Sequence, residues 1–403
     1  MNPGTVSVRV RRGTFPQEKV PRLFRKSRRK MKRSLSLCVL AVILLVSASS
    51  LWAQAPVAGG KRTFYMGFTP FPADISLPAL QEMQEFLPAN SDIIAQHLEG
   101  VPWTEALNGQ PFSEHLMNDW KGRIHYLPEG TKVYLAVSPL DGGRADVADY
   151  HGTTEHMPLP PEFKGKAFDD PIVRKAYLSY CQRAADFFKP DYMAIGIEVN
   201  ELFHHSPGKW EAYTRLNHYV YQELKKKYPN MLVFTTFTVH SMLNPQWTDR
   251  EAMLAAYKGM MDSEDIIAIS YYPFLDNPRV DANDAFKWLF SNFDQYAKPY
   301  AVGETGESAQ PISLNVNGMD VHIEGSPSLQ LDYYQALLAA AQKKHFKFVI
   351  TFLHQDYDAL WEKIKASSPA FFVAWRNCGL VDAKGNRRPA YDLWKKYFQM
   401  PRP

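Results

Sequence analysis

Residues 192–228 read YMAIGIEVNELFHHSPGKWEAYTRLNHYVYQELKKKY, and this stretch holds a strand-like run followed by a helix-like run. The first part, 192–199, is apolar and rich in aliphatic residues. The last part, 210–228, is amphipathic and has three lysines near its end, where positive charge suits the helix dipole. A short apolar strand followed by an amphipathic helix is the βα unit from which parallel sheets are built.

The same alternation continues along most of the chain. Eight strand-like runs are predicted, at 63–69, 92–98, 132–138, 192–199, 231–238, 266–272, 300–304 and 346–352. Further helix-like stretches lie at 171–188, 328–345 and 390–398. Eight such units predict a single α/β domain, a (β/α)8 TIM barrel with enlarged βα loops. No glycine-rich phosphate-binding fingerprint favours a doubly wound dinucleotide-binding fold instead.

The first 55 residues are predicted to be a leader and signal peptide. Twelve Lys and Arg precede the apolar run 35–46, and Ala53-Gln54-Ala55 fits an A-x-A cleavage site. The run is shorter than the about 20 residues that a stable membrane anchor needs. We therefore expect cleavage after Ala55 and a secreted or periplasmic barrel at 56–403, with Met31 as an alternative start. A twin-arginine export signal at Arg28-Arg29 is the rival interpretation of this segment.

Charge and cysteine content exclude several classes of function. The whole chain has a net charge of +4, but residues 1–34 alone carry +11, which leaves −7 for the remainder. An acidic body gives no reason to expect a nucleic-acid partner. With 45% hydrophobic residues the chain is not disordered. Cys181 and Cys378 are too few for a zinc site and can form at most one disulfide, and two buried free thiols are the preferred interpretation.

Acidic residues follow three of the predicted strands. Glu99 comes after the second strand, Glu198 and Glu201 after the fourth, and Glu304 and Glu307 after the seventh. The carboxyl ends of the strands form the face on which these barrels carry their chemistry. A carboxyl group among apolar strand residues is partly desolvated, which raises its pKa and suits it to proton donation. Two such carboxylates on opposite sides of a glycosidic bond can hydrolyse it.

Three motifs resemble the clan A glycoside hydrolases, and in particular the family 53 endo-β-1,4-galactanases and their relatives. The motifs are IGIEVN at 195–200, SYYP at 270–273 and VGETG at 302–306, and the closing segment at 379–391 is also similar. The resemblance implies a retaining mechanism in which Glu198 is the acid/base and Glu304 the nucleophile. It also implies an oligo- or polysaccharide substrate and requires no metal or organic cofactor.

One position departs from the pattern of the resembled family. That family has Asn before the acid/base Glu, where it holds the 2-hydroxyl of the substrate, and this chain has Ile197. The dipeptide Asn200-Glu201 restores the pair three residues later, so Glu201 is an alternative acid/base in a shifted register. A barrel that binds glycans without cleaving them is the alternative function.

Other residues are candidates for contacts with the substrate. Tyr271 or Tyr272 is predicted to donate a hydrogen bond to Glu304, and the other to pack in the barrel, because successive strand side chains face opposite ways. Sugar contacts are predicted for His97, Trp103, Asn200, Tyr271, Tyr272, His354 and Trp361, with Trp375 as a further stacking candidate. Structural packing is the competing interpretation for each. The pair His204-His205 is interpreted as part of a solvated loop, since adjacent side chains do not converge on a metal unaided.

Overall fold

The computed structural model of the protein describes residues 60–125, 127–316 and 318–402. The predicted leader at 1–55 lies outside these residues. The strands are β1 (Tyr65–Phe68), β2 (Ile93–Leu98), β3 (Lys132–Val137), β4 (Tyr192–Ala194), β5 (Leu232–Phe234), β6 (Thr236–Thr238), β7 (Ile267–Tyr271), β8 (Tyr300–Thr305), β9 (Ile312–Val316), β10 (Met319–Ile323) and β11 (Phe348–Thr351).

Nine of these strands form one parallel sheet that closes on itself. Their order is β5-β4-β3-β2-β1-β11-β8-β7-β6. β5 pairs with β4 and β6 pairs with β7, and only Thr235 separates β5 from β6. The two short strands are therefore two parts of one barrel strand, and the sheet is an eight-stranded barrel. This confirms the (β/α)8 fold predicted from the sequence.

At least one helix follows each of the eight barrel strands. They are α1 (Leu77–Asn90), α2 (Trp103–Asn108), α3 (Glu114–Ile124), α4 (Pro171–Phe188), α5 (Asn200–His205), α6 (Trp210–Lys227), α7 (Val239–Leu243), α8 (Arg250–Lys258), α9 (Ala282–Phe293), α10 (Pro327–Lys343), α11 (Asp358–Ile364) and α12 (Pro389–Phe398). The predicted helix at 171–188 has the predicted bounds because Asp170 caps its first turn and Pro171 suits its first position.

Two apolar layers hold the barrel together. Alternate strand residues point inward and outward. The inward layer includes Tyr134, Phe234 and Phe348, and the rings of Tyr134 and Phe348 lie 4.8 Å apart. The outward layer packs between the strands and the helices and contains large buried side chains such as Trp120 and Trp394. Each fully buried aliphatic or aromatic side chain contributes roughly 1.5–3 kcal/mol relative to exposure.

The enlarged loop after β8 contains regular structure. The stretch 309–327 holds the antiparallel hairpin β9–β10. Ile312 and Ile323 of this hairpin pack in a third apolar cluster together with Tyr272 and Cys378. The hairpin therefore covers one side of the barrel mouth.

The two cysteines of the predicted mature chain are both buried and free, as preferred from the sequence. Burial raises the pKa of the Cys181 thiol and of the Cys378 thiol well above their usual range, so both stay protonated. Within the described ranges no helix has the length and apolarity that crossing a bilayer requires.

Candidate active site

Glu304 lies near the carboxyl end of β8, where a bulge turns its side chain into the barrel mouth. Ala301 belongs to the inward layer and Val302 to the outward layer, so strict alternation would point Glu304 outward. The pairing with β7 skips Gly303, since Ile269 faces Val302 and Ser270 faces Glu304. One extra residue in a strand reverses the alternation beyond it. Glu304 consequently faces inward, with 15% of its side chain exposed.

The bulge requires glycine at position 303. A Cβ atom there would lie 2.9 Å from the Tyr134 hydroxyl and 3.0 Å from the Thr236 methyl group. These contacts are shorter than ordinary van der Waals distances. The Gly-Glu pair in the seventh strand is therefore a structural unit that aims the carboxylate.

Two donors hold Glu304 in its charged form. The Tyr272 hydroxyl donates a hydrogen bond to Oε1. His97 Nδ1, on β2, lies 3.5 Å from Oε2. Burial raises the pKa of Glu304, but His97, the Tyr272 hydrogen bond and the charge of Arg144 outweigh it, so the pKa lies below its usual value. Burial lowers the pKa of His97, and its interaction with Glu304 raises it overall.

Glu198 is positioned differently, because the chain leaves regular strand geometry after Ala194. Ile197 is part of the inward layer, so Glu198 would face outward in an extended strand. Glu198 instead has a φ of +54°, in the left-handed region that a residue with a side chain rarely adopts. Its N–H donates to Thr236 Oγ1 at 2.9 Å and holds this turn in place. Strain of this kind concentrates at functional sites.

The side chain of Glu198 is 20% exposed and has one strong partner. Arg144 Nη2, from the loop after β3, lies 3.2 Å from its Oε2. Burial raises the pKa of Glu198 to about 7, although the charge of Arg144 acts in the opposite direction. Repulsion from Glu304 and Glu201 adds to the effect of burial. Near neutral pH a substantial fraction of Glu198 is therefore protonated.

The two carboxylates share one site. The charge of Glu304 raises the pKa of Glu198, and both carboxylates add to the effect of burial in raising the pKa of the Tyr134 and Tyr272 hydroxyls. One carboxyl group is held ionised while its neighbour retains a proton. A pair of carboxyl groups with pKa values pushed apart is the arrangement that acid/base and nucleophilic chemistry at a single bond requires.

Asn200 and Glu201 belong to a structural network beside the site. Asn200 is fully buried; its Nδ2 donates to Thr238 Oγ1 at 2.9 Å and its Oδ1 accepts from the Thr238 N–H at 2.8 Å. The hydroxyls of Thr238 and Ser241 donate to Glu201 Oε1. The predicted sugar contact of Asn200 is therefore wrong, because no part of this side chain is accessible. Glu201 remains the less favoured acid/base, because the hydroxyls of Thr238 and Ser241 bind its Oε1 and hold it beside β6 and α7.

The paired tyrosines divide as the sequence predicted, one to each side of β7. Tyr272 holds Glu304, whereas the Tyr271 hydroxyl donates to Asp276 Oδ2 at 2.8 Å on the outward side. The Tyr271 ring packs edge-on against Tyr333. The prediction that Tyr271 contacts substrate is wrong, because its whole side chain is buried among the helices.

Two further predicted sugar contacts are also wrong. Trp103 is fully buried in α2, where its indole N–H donates to the Ala148 carbonyl at 2.8 Å and its ring packs on Phe163. His354 is fully buried, and its Nε2 lies 2.7 Å from Glu82 of α1. Both side chains face the helical layer, because the residues that follow a strand keep its alternation for only a short distance.

The other aromatic candidates lie in the apolar cluster that contains Tyr272. Trp375 is partly buried and stands edge-on to Tyr272, with ring centroids 5.6 Å apart. Trp361, on α11, is partly buried against the same apolar cluster. Trp361 therefore stays a candidate for substrate binding, and Trp375 is favoured beside it because it contacts Tyr272.

Sequence reasoning missed four residues of the site. Two of them act on Glu198: Arg144 pairs with its carboxylate and Thr236 fixes its backbone. The third is Tyr134, whose pKa is raised by burial and by both carboxylates. The fourth is Tyr357, whose buried hydroxyl has no hydrogen-bond partner among the described residues and whose pKa is raised by burial and by Glu304. None lies in a motif that the resemblance covers, and the pairings depend on how distant loops fold.

The turn dipeptide Asn317-Gly318 between alternating runs was a readable signal for the hairpin β9–β10.

The adjacent histidines of α5 have separate partners. His204 Nδ1 lies 3.0 Å from Asp249 Oδ2 and its ring stacks on Trp247, while His205 Nε2 lies 3.6 Å from Glu201 Oε2. The pair is therefore built into side-chain contacts and is not simply a solvated loop. No group of three or more His, Cys, Asp or Glu side chains in the described part of the chain is arranged to hold a metal ion.

Comparison with known proteins gives a likeness of fold. No protein-family model matches the sequence, and no curated protein is significantly similar to it. An exo-β-1,4-mannosidase from Opitutaceae bacterium strain TAV5 superposes with a TM-score of 0.59 at 12% identity over 87% of this chain, which spans 62% of the mannosidase.

Two further solved structures are similar. GH5_18 from Streptomyces cattleya, in complex with Manβ1-4GlcNAc, has a TM-score of 0.58 at 11% identity, over 84% of this chain and 83% of that protein. The GH53 catalytic domain from Ignisphaera aggregans has a TM-score of 0.50 at 16% identity, over 86% and 92%. At these identities the likeness concerns the fold. The chain thus has the barrel fold of the clan A glycoside hydrolases that its motifs resemble, family 53 among them.

Proposed function

We propose that the chain is a secreted or periplasmic retaining glycoside hydrolase that cleaves a β-linked glycan. The observation that carries the proposal is the pair of strand-end glutamates with opposite protonation, Glu304 ionised and Glu198 with a pKa of about 7. The barrel's likeness to glycoside hydrolases supports it. The predicted signal peptide supports export.

The proposed reaction has two steps. In the first, a carboxylate oxygen of Glu304 forms a bond to the anomeric carbon while the bond to the leaving oxygen breaks, and Glu198 gives its proton to that oxygen. In the second, the Glu198 carboxylate takes a proton from water, which attacks the anomeric carbon and releases Glu304. The hydrogen bond from Tyr272 keeps Glu304 oriented and ionised before the first step.

Turnover of β-linked substrates tests the proposal. The chain from Pro56 is assayed on β-linked polysaccharides and aryl β-glycosides, beginning with β-1,4-mannosides and Manβ1-4GlcNAc because these occur in the names of the compared structures. We expect cleavage by the wild type and its collapse in Glu198→Ala and in Glu304→Ala. Gln246→Ala, an exposed residue outside the site, is the control.

A glycan-binding barrel is the alternative, and one observation favours it. Ile197 fills the position where the resembled family has Asn, and it is buried in the inward apolar layer with 4% exposure. An apolar side chain there cannot hold a sugar hydroxyl. Absence of cleavage on every substrate, together with glycan binding that survives Glu304→Gln, would support this alternative against hydrolysis.

A further inference from the structure

The loop after β3 places an arginine against Glu198, and the loop is itself held in position. Leu140 pairs with Val147 across it, and the Asp141 carboxylate accepts from the N–H groups of Ala145 and Asp146 at 2.7 and 3.0 Å. Arg144 has a φ of +53°. The loop is thus a compact turn with a residue in an unusual conformation at its tip.

A second contact fastens this loop to the segment that follows Glu198. Lys209 Nζ donates to the Ala145 carbonyl at 3.1 Å and lies 2.9 Å from Asp146 Oδ2. The loop after β3 and the turn before α6 are therefore joined directly after Arg144, at Ala145 and Asp146. This fixes the base of the arginine side chain relative to Glu198.

The guanidinium is shared between its own loop and the carboxylate. Arg144 Nη1 donates to the Asp141 carbonyl at 3.1 Å, and Nη2 donates to Glu198 Oε2 at 3.2 Å. The side chain is only 15% exposed. Within the described part of the chain Glu198 Oε1 accepts no hydrogen bond, so the two carboxylate oxygens are not equivalent.

We propose that Arg144 is a positioning residue for the acid/base group. It holds Oε2 of Glu198 so that Oε1 alone faces the leaving oxygen and carries the proton. This inference rests on the proposed glycosidase function and adds a residue to it. Ile197, the neighbour of Glu198 in the chain, is apolar and cannot perform this task, whereas a planar guanidinium on a fixed loop can.

The charges around Glu198 decide the direction of the pH effect. Arg144 favours the ionised carboxylate, as does His97 on β2. Glu304 on β8 and Glu201 on α5 disfavour it, and the hydroxyls of Tyr134 and Tyr272 stay neutral. Removal of Arg144 therefore raises the pKa of Glu198. A general acid with a higher pKa stays protonated to a higher pH, so the alkaline limb of kcat/KM moves to higher pH.

The first experiment measures Glu198 without any substrate. The side-chain carboxyl of Glu198 is titrated by ¹³C NMR in wild type, Arg144→Gln and Arg144→Lys, with its signal assigned by its loss in Glu198→Gln. Arg215→Gln is the matched control, because it removes one positive charge from an exposed ion pair with Asp169. We expect the pKa of Glu198 to rise in Arg144→Gln only, and an unchanged pKa in that variant would overturn the proposal.

The second experiment separates positioning from folding. We expect Arg144→Gln to lower kcat by roughly 10- to 100-fold on alkyl β-glycosides, whose leaving groups need a well-placed proton. The loss should be smaller on nitrophenyl glycosides, and Arg144→Lys should restore the pH profile but only part of kcat. Equal losses on both substrates contradict positioning. If the wild type cleaves nothing, the proposed function fails, and the NMR titration still decides whether Arg144 controls Glu198.

Discussion

Glu198 and Glu304 both turn into the same site, but the backbone reaches this result by two different conformations. On β8 the strand stays paired on both sides, and a bulge at Gly303 reverses the direction of Glu304. After β4 the regular strand has already ended, and a left-handed backbone at Glu198 turns the side chain. The bulge costs little because glycine carries it, whereas the left-handed glutamate costs of order 1 kcal/mol or more.

The surroundings of the two carboxylates differ as much as their backbones. Both are mostly buried, and burial alone raises both pKa values. Glu304 has Tyr272 and His97 on its two oxygens, while Glu198 has Arg144 on one oxygen only. The number of donors that reach the charged form, and not the degree of burial, therefore decides which group is ionised.

Rescue by azide is the strongest way to test the difference in roles. Glu304→Ala should lose on the order of 10⁴-fold or more in kcat, because no other group can form the glycosyl–enzyme bond. With an activated aryl glycoside, added azide should attack directly and yield the inverted glycosyl azide. Glu198→Ala should instead yield the azide of retained configuration, because Glu304 still forms the intermediate. Product configuration is read by ¹H NMR, and exchanged outcomes would reverse the assignment.

Removal of the Tyr272 hydroxyl should raise the pKa of Glu304 toward that of Glu198. Tyr272→Phe deletes a hydrogen bond to a charged group, worth about 1.5–3 kcal/mol, so kcat/KM should fall by roughly 10- to 100-fold. The pKa of Glu304 should rise, and the acid limb of the pH profile should move to higher pH because the nucleophile must be ionised. Tyr271→Phe, whose hydroxyl contacts Asp276, is the control and should leave the acid limb in place. An acid limb that is also unchanged in Tyr272→Phe would contradict the assigned role.

The smallest effect is on stability. Glu198 has its pKa raised from 4.5 to about 7 in the folded state, so its contribution to stability is full below pH 4.5 and is lost as the pH rises through 7. Glu198→Gln removes this loss and should stabilise the fold by about 1–3 kcal/mol at pH 8, with little effect at pH 4. Thermal unfolding of both proteins across this range measures it. A gain of equal size at both pH values would mean that the charge of Glu198 is not its source.

The strands were largely predictable, and the exceptions have physical reasons. Seven of the eight predicted runs match strands of the barrel to within two residues at each end. Buried strands are recognisable because they appear in a sequence as apolar runs between polar turns. The fourth run was predicted to continue to residue 199, but the strand ends at Ala194 because the chain must turn Glu198 toward the mouth. Aliphatic composition cannot reveal a left-handed residue. The hairpin β9–β10 had a turn signal in the sequence, the dipeptide Asn317-Gly318 between two alternating runs.

Of the site, the sequence by itself placed two glutamates at strand ends and predicted that only one of Tyr271 and Tyr272 meets Glu304. Both follow from local order, because strands are read from apolar runs and successive strand side chains face opposite ways. The inward direction of the two glutamates did not follow from it, since strict alternation would point both outward. Tertiary structure alone decided that Arg144 meets Glu198, that His97 meets Glu304, and that Trp103, Asn200 and His354 are buried. Each of these contacts joins segments brought together by closure of the barrel. Their geometry therefore depends on how loops of different length fold over the same mouth, which no local pattern specifies.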